Sequence, residues 1–119
     1  MVLGLSPDTG KAVEIEVSDG RIRALSESDR DAKDLWVAPG LIDIQVNGYG
    51  GVDFNKDDLT GEEIARSIRA LRSTGVTRFL PTIITGPASR MTGAARNLAR
   101  ARHELDEAPS IAGIHIEGP

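Results

Sequence analysis

The 119 residues carry 39% apolar side chains, enough for a modest core, and 27% charged ones, the balance of one small globular region. The 18 acidic and 14 basic residues leave a net charge of -4, and one Trp, one Tyr and two Phe cannot build a stacking platform, so nucleic acid is not an expected partner. With no cysteine there is no disulfide and no thiolate site, leaving His, Asp and Glu as the candidate metal ligands.

Residues 1–9 show no basic cluster followed by an apolar run, and no window approaches the ~20 apolar residues of a membrane span. A cytoplasmic protein with no membrane partner is therefore expected. From Lys11 to Leu25, Val13, Ile15 and Val17 alternate with Glu14 and Glu16; Asp19-Gly20 follows, and Ile22 lies between Arg21 and Arg23. Period two on either side of an Asp-Gly turn predicts a half-buried hairpin. A charged loop over 29–34 precedes a short apolar strand of Leu35, Trp36 and Val37, and Pro39-Gly40 marks a boundary.

After Gly40 apolar strands alternate with longer helical stretches, the pattern of successive βαβ units. The first strand is 41–47. Thr60 is placed to cap the first helix, Glu63 to complete a capping box, and Leu59 with Ile64 to form a hydrophobic staple. Ile64, Ile68 and Leu71 line one face, and Gly75 suits the helix exit. A second strand covers 76–80. Pro87 fits the first position of a second helix bearing Met91, Ala95, Leu98 and Leu105 on one side, with Gly93 an unfavourable helix residue. Pro109 closes that stretch, and a third strand over 111–116 runs into Glu117-Gly118-Pro119.

Within the first strand Ile42, Ile44 and Val46 share one face, and Asp43, Gln45 and Asn47 the other. The third strand divides in the same way, with Ala112, Ile114 and Ile116 opposite Gly113, His115 and Glu117. An open doubly wound sheet buries both faces under helices, so strands with one polar face fit better in a barrel whose polar side chains gather at one mouth. Reactive groups in such barrels come from the C-terminal strand ends, which predicts that Asn47 and Glu117 are neighbours. A carboxylate at the end of an apolar strand, followed by a rigid Gly-Pro pair, suits a fixed oxygen ligand for a divalent cation. His115, two residues earlier on the same face, is expected in the core or behind the ligand, and His103 at a solvated helix surface. Gly48-Tyr49-Gly50-Gly51 follows a strand, but the third glycine of a dinucleotide loop would fall at Asp53 and no helix opens there. These glycines are read as a tight turn beside the site.

Three blocks carry a family resemblance: Ala38-Pro-Gly-Leu-Ile-Asp-Ile-Gln-Val-Asn-Gly-Tyr-Gly-Gly, Leu80-Pro-Thr-Ile-Ile-Thr and Gly113-Ile-His-Ile-Glu-Gly-Pro. In this order they resemble the first three strand segments of the N-acetylglucosamine-6-phosphate deacetylases, amidohydrolases. The resemblance implies an α/β chain: a small β-sandwich segment over 1–37, then over 38–119 the first three strands and two helices of a (β/α)₈ barrel of the TIM type. It implies hydrolysis of the acetamide of N-acetylglucosamine 6-phosphate, a small-molecule amino-sugar phosphate, to glucosamine 6-phosphate and acetate. Glu117 matches the family's carboxylate metal ligand, for one zinc or another divalent cation per site. Gln45 and Asn47 stand where many amidohydrolases carry the His-x-His of a second metal, and amides replace imidazole poorly there. Some deacetylases of the family share this Gln-x-Asn pattern and use one metal. Asp43 matches a strand-1 aspartate, read more simply as a structural hydrogen bonder, and dimers are common in the family.

The family's remaining ligands and its general base lie on later strands, so the three strands here are expected to be inactive alone, with an open sheet edge. Two alternatives stand beside the deacetylase: a related amidohydrolase acting on another N-acyl sugar or amide, and a binding or assembly module without chemistry. Glu117, facing the same way as the amides of the first strand, favours a hydrolase over the module.

Overall fold

Asp19 and Gly20 take positive φ angles of 53° and 69°, the geometry of a two-residue hairpin turn whose twist suits antiparallel strands. The computed structural model describes residues 1–118, in two units, Met1–Pro39 and the chain from Gly40 onward. In the first, β1 (Val2–Leu5), β2 (Ala12–Ser18) and β3 (Arg21–Glu27) form an antiparallel sheet in the order β1-β2-β3. The hairpin is as expected; β1 is an addition, since Val-Leu-Gly-Leu lacks the polar alternation that marks a strand.

Leu35, Trp36 and Val37 do not form the anticipated strand. A single parallel bridge joins Leu5 to Trp36, and Leu35 and Trp36 are exposed. Lys33 and Asp34 both have positive φ (50° and 58°), so the chain arrives through a turn and meets β1 over only one residue pair.

The second unit has three parallel strands in the order β4-β7-β8, joined through two helices. β4 (Leu41–Val46) stops one residue short of the expected end. There the carbonyl of Asn47 accepts the Phe54 amide at 3.0 Å, closing a small hairpin of β5 (Gly48–Tyr49) and β6 (Val52–Asp53). Gly50 and Gly51 turn it with φ of 61° and 79°, and a side chain at Gly48 would place its Cβ 2.1 Å from the Val52 carbonyl oxygen. The glycine cluster is thus a turn.

α1 (Gly61–Arg72) carries the complete capping box of Thr60 and Glu63. Ile64, Ile68 and Leu71 are buried, as is Leu59 in the same cluster. The helix ends at Arg72, and Gly75 (φ 91°) then turns the chain into β7 (Val76–Ile83). This strand runs on to Ile83 rather than ending at Leu80. Pro81 has no N–H to donate, but the ladder with β4 is irregular there: Asp43 pairs with Phe79 and Val46 with Pro81, a spacing of three residues against two. Such an irregularity tolerates a proline in a central strand.

α2 (Ala88–Glu104) begins after Pro87, which occupies the cap position rather than the first helical one. Leu98 is buried together with Ala94 and Ala101, while Met91, Ala95 and Leu105 are partly buried against the core. A short 3-10 turn (Ala108–Ser110) contains Pro109, and the third strand reduces to β8 (His115–Ile116). Ile111 still bridges Phe79, and His115 pairs with Thr82. Four steps from Ile111 to His115 therefore face three from Phe79 to Thr82, an extra residue that interrupts the strand. The strict alternation expected over 111–116 fails for the same reason: Ile111 is buried and Ile114 packs on the core, while Ile116 is exposed.

The core lies between the strands and the two helices, with Phe54 and Phe79 stacked at a centroid distance of 5.7 Å. Only Val46 of the expected apolar face of β4 joins it; Ile42 and Ile44 are exposed, Ile44 by 68%. No described helix is long and apolar enough to cross a membrane.

Candidate functional site

β4 and β8 lie on either side of β7, yet their C-terminal ends communicate over it. The Gln45 amide Nε2 donates to Glu117 Oε1 at 2.8 Å, across 72 residues of sequence. His115 Nδ1 lies 2.9 Å from the carbonyl of Ile44. A carbonyl only accepts, so the Nδ1–H of His115 is the donor in this contact. Two long-range hydrogen bonds thus tie the end of the third segment to the end of β4.

Backbone bonds fix the rest of the arrangement. The Glu117 amide donates to the Ile83 carbonyl at 3.1 Å, extending the parallel ladder past β8. The Thr85 hydroxyl donates to the Gly118 carbonyl; Pro119, the second half of the expected rigid pair, lies outside the described residues. Asp43 Oδ1 accepts the Gln45 amide N–H at 3.1 Å, satisfying a donor where the ladder with β7 is irregular.

Among the candidates, the structure brings Gln45, Glu117 and His115 together. Asn47 was the expected neighbour of Glu117, but the amide in contact with the carboxylate is that of Gln45. Asn47 lies past the end of β4, and its side chain makes no hydrogen bond among the described residues. The reason is local: the chain turns into the β5-β6 hairpin at Asn47, whose carbonyl is taken by Phe54. His103 is exposed on α2, as expected.

Asn55 was not singled out from the sequence. It is only 3% exposed; Nδ2 donates to the Thr82 carbonyl and Oδ1 accepts the Ile84 amide, each at 3.0 Å. The one local hint was Asp53, whose Oδ1 accepts the Asn55 amide at 2.8 Å, an Asx-type turn.

As a metal site the end of the third segment offers the carboxylate of Glu117. Among the described residues no three His, Asp or Glu side chains converge to hold a cation. Glu117 is exposed, and with Oε1 engaged by Gln45 its Oε2 has no protein partner among the described residues, which fits a single oxygen ligand but not a complete shell. The cap residue Glu63, on the helix that follows the hairpin, has its carboxyl lowered to about 2 by the Thr60 backbone N–H and hydroxyl and by Lys56.

No family model matches the chain. Its homologues are amino-sugar phosphate deacetylases, enzymes of the hydrolase class. The N-acetylglucosamine-6-phosphate deacetylase of Mus musculus is 35% identical over 98 residues, 82% of this chain and 24% of the relative. An N-acetylgalactosamine-6-phosphate deacetylase of Shewanella sp. (strain ANA-3) is 40% identical over 116 residues, 88% of this chain and 28% of the relative. Among solved structures, N-acetylglucosamine-6-phosphate deacetylase from Pasteurella multocida matches 92% of this chain and 30% of its own, with a TM-score of 0.70 and 29% identity. The chain spans about a quarter of the length of the curated relatives it matches.

Proposed function

We propose that these residues are part of a metal-dependent deacetylase that hydrolyses the acetamide of N-acetylglucosamine 6-phosphate, giving glucosamine 6-phosphate and acetate. The observation that carries this reading is the contact of Gln45 with Glu117: a polar side chain of β4 meets one that directly follows β8, at the C-terminal ends of two strands separated by β7. That is where a barrel of parallel strands gathers its reactive groups. Similarity to deacetylases over most of the chain supports the choice of substrate class.

In this reading residues 1–37 contribute to a small β domain, and residues 38–119 begin a (β/α)₈ barrel of a cytoplasmic, homodimeric enzyme. Glu117 is a ligand of one divalent cation, zinc by preference. Gln45 and Asn47 occupy the positions of a lost second metal. Gln45 holds one carboxylate oxygen and leaves the other to the cation; His115 and Asp43 stand behind it, bonded to the backbone of β4. A divalent cation so held supplies Lewis-acid polarisation of the scissile carbonyl and acidification of a water. The remaining ligands and the general base come from residues outside this chain.

The full-length enzyme should release acetate from N-acetylglucosamine 6-phosphate only with metal present, and Glu117→Gln should abolish both release and tight metal binding. Metal-independent turnover, or wild-type activity in Glu117→Gln, refutes the reading. The 40% identity to an N-acetylgalactosamine-6-phosphate deacetylase favours one alternative, the galactosamine epimer. A ratio of kcat/KM values on the two sugars decides between them.

A further inference from the structure

We infer that Asn55 is a positioning residue for the Glu117 carboxylate, acting through the C-terminal end of β7. Backbone groups of successive strand residues point to opposite edges. The Ile83 carbonyl faces the third segment, where it accepts the Glu117 amide, so the Thr82 carbonyl and the Ile84 amide face the other edge. There β4 has already ended at Val46. Asn55 stands in for the missing strand: its side-chain amide donates to Thr82 and accepts from Ile84, in the pattern of a backbone partner.

The loop and the strand end lock each other. Asn55 is held by its own amide on Asp53 and by Arg90 Nε on its carbonyl at 3.4 Å, and it follows Phe54, which is fully buried. One residue bonding the atoms on both sides of Ile83 determines where the Ile83 carbonyl points, and hence where Glu117 begins. No other side chain fits so well. Asp lacks the donor for Thr82, Ala leaves two backbone groups without partners, and Gln is longer by a methylene.

This role rests on the deacetylase reading, and the test separates the two. In the full-length enzyme, metal affinity is measured by chelator competition, alongside metal content and kcat and KM, for Asn55→Ala, Asn55→Asp, Thr60→Ala and Glu117→Gln. The role requires a loss of affinity of about 10- to 100-fold in both Asn55 variants, as for residues that orient metal ligands, with kcat falling more than KM rises. Thr60→Ala, which weakens a helix cap whose bonds go to Glu63 and not to Glu117, should bind metal as wild type does. Wild-type affinity in either Asn55 variant, or an equal loss in Thr60→Ala, overturns the role while a loss in Glu117→Gln leaves the deacetylase reading standing. Wild-type affinity in Glu117→Gln removes the reading itself. Should Asn55→Ala not fold, the one-atom change to Asp decides alone.

Discussion

Gln45 donates its side-chain amide to Glu117 at 2.8 Å over an intervening strand. The bond occupies Oε1, and because both side chains are exposed, its worth lies in orientation more than in stability. A carboxylate held by one oxygen presents the other in a defined direction, which a ligand site needs.

Removing the donor should therefore affect metal binding more than folding. Gln45→Leu in the full-length enzyme is expected to lower metal affinity about 10-fold or more, read by chelator competition, with the thermal midpoint nearly unchanged. Equal metal affinity would mean that Glu117 is oriented without Gln45.

The helix cap predicts a pH dependence. Glu63 titrates at about 2, first because of the Thr60 backbone N–H, then the Thr60 hydroxyl and Lys56, against an ordinary value of 4.5. A depressed folded-state pKa stabilises above the unfolded value and loses that contribution as pH falls through the folded one. Wild type should thus exceed Glu63→Gln in thermal stability at pH 6, with the gap closing between about 4.5 and about 2. A gap unchanged across that window would exclude the charge as its cause. Thr60→Ala should cost about 1 kcal/mol at neutral pH.

Ser67 lies on the buried side of α1, and its hydroxyl has no hydrogen-bond partner among the described residues. An unsatisfied buried hydroxyl carries a desolvation cost that alanine does not, and alanine is the better helix former. Ser67→Ala is expected to be neutral or to stabilise by up to about 1 kcal/mol. Denaturant unfolding measures it, and a clear loss of stability would reveal a bond that the hydroxyl makes in solution.

Phe79 is fully buried and stacked on Phe54, joining β7 to the loop that carries Asn55. Phe79→Ala should destabilise by about 3–5 kcal/mol through cavity formation, against a much smaller effect for the exposed Ile44→Ala. Equal effects would place the core elsewhere.

Local rules were enough for the elements that local chemistry governs. Asp19-Gly20 with alternating neighbours dictated the hairpin, and Thr60 with Glu63 dictated the start of α1, because turns and caps are closed within a few residues. The carboxylate at the end of the third segment was also legible, since strand and terminus were both marked. Tertiary structure decided which amide meets it. The register irregularity of β4, the extra residue between Ile111 and His115, and the turn at Asn47 each shift which side chain faces where, and none leaves a periodic trace. Asn55 belongs to the same class. Its sequence neighbours gave little sign of a role that exists only because β4 ends early and leaves two backbone groups of β7 in need of partners.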